Sequence, residues 1–310
     1  MTTEAMSHGG APASLSPFSR LMSGTAGPVI VVVAVIFAVW YLAAVLLNTP
    51  FQRDTYERAG QENVPLAQLI TDTLAQERPV MPAPHQVAVE IWNTTAEKKI
   101  TSKRSLVYHS GNTLSSTLLG FLIGTSLGIG LAVLIVHSRV LDKSLMPWII
   151  SSQTIPILAI APMIIVVLNA IGITGTLPKA MISTYLSFFP VTVGMVKGLR
   201  SPELIQLDLM KTYSASQGQT LRKLRLPSAA PYLFASMKVA VAASLVGAIV
   251  GELPTGAVAG LGARLLAGSY YGQTIQIWSA LIVAAVIAAS LVTIVGIAER
   301  IVLKRMGMAQ

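Results

Sequence analysis

Cysteine is absent from this 310-residue chain, and charged residues are scarce. Without cysteine there is no disulfide framework, no thiolate nucleophile and no thiolate metal ligand. Only 11% of the residues are charged and 6% are aromatic, whereas 53% are hydrophobic. Soluble globular domains carry about 25% charged residues. The composition therefore excludes an ordinary water-soluble domain and indicates a membrane protein.

Motifs that hold phosphate or activate water are also missing. A Walker loop requires a Gly-Lys pair, and no such pair occurs in the sequence. The zinc-protease pattern HExxH does not occur either. The four histidines are scattered along the chain: His8, His85, His109 and His137. We therefore predict that the chain is not an enzyme and holds no metal or cofactor, so any ATP and Mg must be bound by a separate subunit.

Long apolar runs fill most of the chain. A spanning helix needs about 20 apolar residues, and six stretches reach that length: 28–48, 113–137, 147–168, 177–197, 233–252 and 275–298. Strands of a membrane barrel would instead alternate over about ten residues. The sequence predicts an all-α membrane protein with six transmembrane helices.

The amino-terminal third divides into three predicted parts. Residues 1–26, rich in Ser, Gly, Pro and Ala, are predicted to be a disordered cytoplasmic tail. Residues 27–48 form a retained first transmembrane helix. Residues 49–112 form a periplasmic segment, in which the turn at 82–84 precedes an amphipathic helix. The apolar side chains predicted to lie against the membrane surface are Val87, Val89, Ile91 and Trp92.

Basic residues fix the predicted orientation. If the amino terminus is cytoplasmic, the short external loops hold only Lys179 and Arg264. The cytoplasmic side then receives Arg20, Arg139, Lys143, Lys197, Arg200, Lys211, Arg222, Lys223, Arg225, Arg300, Lys304 and Arg305. This bias places both termini in the cytoplasm of a multi-pass inner-membrane protein. It also accounts for the net charge of +9 without nucleic-acid binding, which we exclude.

The segment from Asp208 to Pro231 is a polar, basic island between apolar spans. It is predicted to be helical and to end sharply at proline. Its middle, from Tyr213 to Gly218, is a small-residue turn that lets another protein approach closely. Three cations, Arg222, Lys223 and Arg225, cluster just before Leu226-Pro227. Such an island predicts a surface for a protein partner.

This segment resembles the cytoplasmic coupling loop of ABC importer permeases. Their motif runs Glu-Ala-Ala, three residues, Gly-Ala, about nine residues, and hydrophobic-x-Leu-Pro. In register with Leu226-Pro227, Asp208 takes the Glu position, Leu209 and Met210 the two Ala, Ser214 the Gly and Ala215 the following Ala. The resemblance implies an ATPase-coupling loop over 203–231, with a short coupling helix around Tyr213 to Gln219. The implied contact residues are Asp208, Tyr213, Ser214, Ala215, Ser216, Gln217, Gly218, Leu226 and Pro227.

The same resemblance extends over most of the chain from Pro82 to Arg305. It implies a type I ABC importer permease with a methionine-permease-like core of five helices over 113–305. The similar subfamily imports nitrate, sulfonates, taurine or pyrimidine and thiamine precursors, so the implied cargo is a small polar or anionic solute. The implied partners are a second copy of the chain, a cytoplasmic ATPase dimer and a periplasmic solute-binding protein.

Polar side chains within the spans predict a translocation pathway, because polar groups in hydrocarbon are costly unless they face protein or a cavity. The candidates are Gln153, Thr154 and Pro156 in the third span, Thr184, Tyr185 and Ser187 in the fourth, and Glu252 at the end of the fifth. Two alternatives stay open. The third-span residues satisfy the backbone at kinks caused by Pro156 and Pro162, or they line the pathway. Glu252 is a structural cap, or it is a contact at an outer gate.

Gly120, Gly124 and Gly128 recur every four residues and share one face of the second span. Such a face lets helix backbones approach closely. It indicates packing within the subunit or, as the alternative, dimerisation.

Two other functions fit a polytopic helical chain. A secondary transporter would carry inverted repeats or an intramembrane carboxylate relay, and neither is obvious in this sequence. A membrane scaffold without an ATPase partner is the other alternative.

Overall fold

The structure is a computed structural model that describes residues 26–61, 63–254 and 258–308. Within those ranges all regular structure is helical. The chain divides into two compact units, Met1–Gln86 and Val87–Gln310. The predicted tail, apart from its last residue, lies outside the described ranges.

The first unit contains helix α1 (Ala26–Arg58) and helix α2 (Leu66–Leu74). The predicted end of the first span at residue 48 is wrong as a helix boundary, because α1 continues through Pro50 to Arg58. The Tyr56 hydroxyl donates to Asp72 on α2. Asn48 exchanges two hydrogen bonds with the backbone of Met81, at 2.8 and 3.1 Å. The stretch after Arg58 therefore folds back along the end of α1 as a helical hairpin.

Helix α3 spans Pro84–Trp92 and continues into a π turn over Asn93–Glu97. The second unit begins at Val87, within this helix. Its remaining helices are α4 (Leu106–His137), α5 (Arg139–Ser152), α6 (Ile157–Ala170), α7 (Thr176–Leu199), α8 (Leu204–Thr212), α9 (Gln217–Glu252), α10 (Leu261–Tyr270) and α11 (Thr274–Arg305). Five helices of the described chain, α1, α4, α7, α9 and α11, are long and apolar enough to cross a membrane. The number becomes six if the bent pair α5–α6 is one span.

Helix α3 places only half of its predicted apolar face outward. Val89 and Trp92 are exposed, as a membrane-facing surface requires. Val87 is buried, and Ile91 packs against the cluster around Leu106. The prediction that all four side chains lie against the membrane is therefore wrong for Val87 and Ile91. The reason is helical geometry, since residues four apart share one face and here that face meets protein.

The third predicted span is broken rather than kinked. Helices α5 and α6 meet at 101° across a short break that ends at Pro156. Pro156 adopts an extended conformation and caps the start of α6. Pro162, the second predicted kink, lies inside α6, which continues through it. The bend therefore belongs to Pro156, which restricts the residue before it away from helical angles.

The predicted sharp stop at proline is also wrong. Helix α9 runs without interruption from Gln217 through Pro227 and Pro231 to Glu252. A π turn over Leu221–Arg225 precedes Pro227. The hydrogen-bond ladder changes spacing in such a turn, so the proline falls where its missing N–H interrupts little. The second half of the polar island, from Gln217 onward, and the fifth span are therefore parts of one helix.

The glycine face of α4 packs against α7 within the chain. A Cβ on Gly120 would lie 2.3 Å from the Ser183 Cβ, and one on Gly124 would lie 2.1 Å from the Ser187 Oγ. A Cβ on Gly128 would lie 2.8 Å from the Val191 Cβ. The prediction of packing within the subunit is confirmed, and the face is not available for dimerisation.

Candidate functional site

The predicted coupling loop is a helix–turn–helix that leaves apolar side chains exposed. Four large apolar residues on α8 and just after it form what we call the docking surface: Leu204 (79% exposed), Ile205 (74%), Leu209 (55%) and Tyr213 (77%). A capping box between Glu203 and Gln206 fixes the start of α8. Asp208, the residue in the Glu register of the motif, pairs with Lys211 at 2.8 Å on the exposed side. Exposed apolar side chains of this size on a short ordered helix mark an interaction site.

The turn after α8 has a fixed geometry. Ser214 adopts a positive φ of 50°. Its N–H donates to the carbonyl of Lys211 at 2.8 Å, and the Ala215 N–H donates to that of Met210 at 2.9 Å. These two bonds form a Schellman motif, in which the left-handed position is usually glycine. Serine occupies this position here, in agreement with its alignment to the Gly of the motif.

Helix α9 begins directly after this turn. The Ser216 hydroxyl accepts from the Gln219 N–H at 3.2 Å, and the Gln219 side chain accepts from the Ser216 N–H at 2.8 Å. This capping box makes Gln217 the first residue of the helix. The predicted coupling helix around Tyr213 to Gln219 is therefore wrong in position. Those residues form the turn and the start of α9, and the short helix is α8.

Charged side chains connect the segment that carries the docking surface to the spans. Arg225 donates to the carbonyl of Leu199 at the end of α7, at 3.2 Å. Arg200 pairs with Asp142 of α5 at 2.8 Å. Beneath the turn, a cleft of about 450 Å³ is lined by Val136, His137, Leu204, Leu207, Lys211, Ala215, Gln217, Thr220 and Arg225. Ala215 thus faces the chain itself, and the fully exposed contacts are those of the docking surface.

Glu252 lies in a second polar cluster, which is buried. Its carboxyl accepts from the Thr113 hydroxyl, at 2.9 and 3.0 Å to the two oxygens, and from the Gly262 N–H at 2.8 Å. The Thr113 hydroxyl accepts in turn from the Leu261 N–H at 2.8 Å. These bonds fasten the start of α10 to α4 and to the end of α9. Of the two alternatives for Glu252, the geometry favours the structural cap.

His109 and Gly260 complete this cluster. The His109 Nδ1 accepts from the Gly260 N–H at 3.1 Å, so its Nε2 carries the proton and donates to the Lys103 carbonyl at 2.9 Å. Gly260 has a φ of 125°, and a Cβ there would lie 2.1 Å from the Glu252 carboxyl carbon. Only glycine fits this position. The predictions from sequence missed His109 and Thr113 as parts of this cluster.

Arg264, in the predicted external loop between the last two spans, is a buried residue of α10. Its guanidinium pairs with Glu90 of α3 at 2.8 Å and donates to the Arg104 carbonyl at 3.0 Å. Burial lowers the pKa of Arg264, while the Glu90 carboxylate beside it acts in the opposite direction. The pair fixes α10 to the segment ahead of α4.

The predicted pathway residues fall into three places. At the α5–α6 break, the Thr154 hydroxyl donates to the Ser151 carbonyl at 2.8 Å, and Tyr185 of α7 donates to the Ser152 carbonyl. Thr184 and Ser187 are buried between α7 and α4, and both donate to the Gly120 carbonyl. Glu252 belongs to the buried cluster described above. The structure therefore joins Gln153, Thr154, Pro156 and Tyr185 around one break and separates the others; their roles in transport stay predictions.

A groove between α6 and α7 lies next to this break. It has a volume of about 600 Å³ and is lined by Leu127, Ile160, Met163, Ile164, Val167, Leu168, Met181, Thr184, Tyr185 and Phe188. Thr184 and Tyr185 are its only polar side chains. Among the described residues no cluster of three His, Cys, Asp or Glu side chains has metal-binding geometry.

The fold and these sites define a multi-span helical membrane protein with one broken span and a helical loop that exposes a docking surface. The sequence model of the family described as "Binding-protein-dependent transport system inner membrane component" matches residues 124–308. This match covers more than half of the chain, and the chain belongs to this family. It is a permease subunit of a binding-protein-dependent importer of small solutes.

Individual relatives agree with the family. A probable ABC transporter permease protein of Haemophilus influenzae is 31% identical over 204 residues, which are 66% of this chain and 78% of the relative. The riboflavin transport system permease protein RibX of Chloroflexus aurantiacus is 30% identical over 225 residues, or 73% and 80% of the two chains. The formylaminopyrimidine transport permease protein ThiX of Halalkalibacterium halodurans is 29% identical over 184 residues, or 59% and 68%.

Proposed function

We propose that two copies of this chain form the transmembrane pathway of an ATP-driven importer. Each copy carries one cytoplasmic ATPase on its docking surface and receives solute from a binding protein outside. ATP and Mg are bound by the ATPases, and this chain needs no cofactor. Both termini are cytoplasmic in the inner membrane. The docking surface is the observation that carries this proposal.

The docking surface suits a partner protein rather than lipid. Its four apolar side chains stand on a loop whose other exposed groups are polar or charged, including Asp208, Lys211 and Gln217. An apolar patch with a polar rim is typical of protein interfaces. Large exposed aromatic residues such as Tyr213 commonly dominate binding at such a patch. A groove in a cytoplasmic ATPase is the partner that this chemistry and the coupling-loop motif favour.

Helix α9 connects this surface to the opposite end of the core. It contains 36 residues from Gln217 to Glu252 and has no break. Movement of a bound ATPase at the turn is therefore transmitted along one helix to the buried cluster around Glu252. This continuity supports ATP-driven switching of the pathway and disfavours a scaffold role.

The groove between α6 and α7 favours a particular kind of solute. Its walls are aliphatic, methionine and aromatic side chains together with Thr184, and the Tyr185 hydroxyl donates to the Ser152 carbonyl at the neighbouring break. Walls of this kind favour a planar organic ring over a small inorganic anion, which needs hydrogen-bond donors or cations. The RibX and ThiX relatives are named for ring-bearing solutes. We propose that the small polar cargo of this permease also carries an aromatic ring.

Charge on the docking surface is expected to abolish ATPase binding. Ile205→Asp and Tyr213→Asp place a carboxylate where an apolar contact is proposed, and both positions are exposed, so folding is unaffected. Loss of an interface anchor weakens binding about 30-fold or more. Co-purification of the partner ATPase, with transport in vesicles, measures the effect. Ser144→Asp, on exposed α5, is the matched control and should bind normally.

The proposed membrane orientation is tested with a cysteine on the docking surface. Tyr213→Cys introduces the single cysteine of the chain. It should resist a membrane-impermeant thiol reagent in intact cells, react in inverted vesicles, and be protected when the ATPase is added. Labelling from outside would show that the orientation is wrong. Normal ATPase binding by both aspartate variants would show that docking takes place elsewhere.

The proposed cargo is tested with two alanine variants on α6, one at a methionine and one at a valine. Met163 lines the groove, whereas Val166, equally exposed on the same helix, does not. Met163→Ala should raise the KM for uptake several-fold, and Val166→Ala should leave it unchanged. Uptake of the ligand extracted from the binding protein should be inhibited by riboflavin or pyrimidines and not by nitrate. Inhibition by nitrate alone would contradict the ring-bearing class.

A further inference from the structure

A second cleft lies between α9 and α11, away from the docking surface and the α6–α7 groove. Its volume is about 740 Å³, and its lining residues are Pro231, Lys238, Thr293, Gly296, Ile297, Glu299, Arg300, Leu303 and Met308. We call it the α9–α11 cleft. The proposed transport mechanism assigns no task to this cleft.

The α9–α11 cleft contains charges of both signs. Lys238 of α9 forms an ion pair with Glu299 of α11, and both side chains remain partly exposed. Arg300 is exposed and has no ion-pair partner within the described chain. The cleft therefore presents two cations and one carboxylate. Its net positive charge suits a phosphate, and the carboxylate provides an acceptor for an ammonium group.

Exposed apolar side chains lie beside the cleft. Ile294, Ile297 and Ile301 form an exposed apolar stripe on α11, and Ile297 also lines the cleft. Arg300 lies near the end of α11, which terminates at Arg305. In the proposed orientation this is the cytoplasmic end, so the charges lie at the level of the inner-leaflet headgroups. Basic pockets between helices on this side of a membrane are typical lipid-headgroup sites.

Gly296 keeps the floor of the cleft open. A Cβ at this position would approach only the Lys238 Cε, at 3.6 Å, which is ordinary contact. The glycine is therefore not required by helix packing within the described chain. Its absence of a side chain leaves space beneath Lys238, between the charged groups and the apolar stripe.

We infer that the α9–α11 cleft binds a phospholipid whose headgroup carries both a phosphate and a primary ammonium, the phosphatidylethanolamine type. The phosphate contacts Lys238 and Arg300, and the ammonium donates to Glu299. The acyl chains lie along the stripe formed by Ile294, Ile297 and Ile301. Phosphatidylglycerol lacks the ammonium that Glu299 needs, and phosphatidylcholine lacks N–H donors. Only the choice of leaflet rests on the proposed orientation.

The test measures lipid binding to the purified chain in detergent by native mass spectrometry. Phosphatidylethanolamine, phosphatidylglycerol and phosphatidylcholine with identical acyl chains are compared, and phosphoethanolamine serves as the free headgroup. The ethanolamine lipid should bind most tightly, and the free headgroup should not bind measurably. Arg300→Ala should weaken binding of the ethanolamine lipid about fivefold, which corresponds to the binding free energy that one basic residue contributes at a membrane surface. Glu299→Gln should remove the preference over phosphatidylglycerol.

Two further variants separate binding in the cleft from general detergent effects. Gly296→Val fills the space beneath Lys238 without changing charge and should also weaken binding, whereas Gly130→Val, at an open position on α4, should not. Equal binding of the three lipids, or binding that none of the cleft variants changes, would overturn the site. Tight binding of phosphoethanolamine alone would assign the cleft to a soluble phosphate ester. Lipid binding is measured without the ATPase, so its failure leaves the proposed function untouched.

Discussion

Replacing Gly120 by alanine is expected to destabilise the core of this permease more than any other single methyl group added to α4. The new Cβ would lie 2.3 Å from the Ser183 Cβ and 2.6 Å from the Ala180 carbonyl oxygen. The second contact is to backbone, which no rotamer change relieves, so α4 and α7 must separate. Overpacking of this kind costs about 1–3 kcal/mol or more. Thermal unfolding of the detergent-solubilised protein measures the loss.

Gly124 provides the comparison that separates side-chain from backbone crowding. Gly124→Ala meets the Ser187 Oγ at 2.1 Å, and its nearest backbone atom, the Phe188 nitrogen, is 3.2 Å away. Adding Ser187→Gly should therefore restore much of the lost stability. Adding Ser183→Gly to Gly120→Ala should not. Gly130→Ala, with open space around it on the same helix, should be tolerated. Equal rescue of both pairs would mean that the α4–α7 contact is looser than described.

Removing the Glu252 carboxyl is expected to produce the second large loss of stability. Glu252→Ala leaves the buried Gly262 N–H without its acceptor and Thr113 without the oxygens to which it donates. An unsatisfied buried donor costs about 1–3 kcal/mol. Glu252→Gln, which keeps an acceptor for Gly262, should cost less. Unfolding temperature and expression level in the membrane measure the order of the two variants.

A double-mutant cycle identifies the contact responsible. Thr113→Val removes the hydroxyl that joins Glu252 to the Leu261 N–H. Groups within one hydrogen-bond network couple by about 0.5–3 kcal/mol, so Thr113→Val and Glu252→Ala together should cost less than the sum of the two. Thr293→Val, an exposed hydroxyl bonded only to its own helix, is the control and should be additive. Strict additivity for Thr113 would show that Glu252 acts through other partners.

The fold class was predictable from the sequence because spanning helices are set by apolar length. Six apolar stretches correspond to α1, α4, the pair α5–α6, α7, α9 and α11. The effects of individual prolines were not predictable. Pro156 lies at the break between two helices, directly before the start of α6, whereas Pro227 and Pro231 lie inside one helix. The outcome depends on neighbouring hydrogen bonds, which the local sequence does not specify.

The candidate sites were predictable to different extents. The segment that carries the docking surface is continuous in sequence, so its polarity and its alignment with the coupling-loop motif were enough to locate it. The short helix in this segment, α8, nevertheless lies before the position predicted for it. The cluster around Glu252 joins His109 and Thr113 to residues beyond position 250. A lone histidine or threonine in an apolar span gives no local signal of such a partner. Long-range pairing of single polar residues therefore needs the structure.

The π turn at Leu221–Arg225 has a consequence for the rotational phase of α9. Each residue of an α-helix turns it by about 100°, and a π turn closes on the fifth residue instead of the fourth, so it accommodates one extra residue locally. Because the turn lies between the capping box of Ser216 and the first membrane-embedded residues, it determines which face of the helix points toward α7 and which toward α11. These five residues thus set the rotation of α9 about its own axis. That rotation determines both the direction in which the docking surface points and the face that α9 packs into the core.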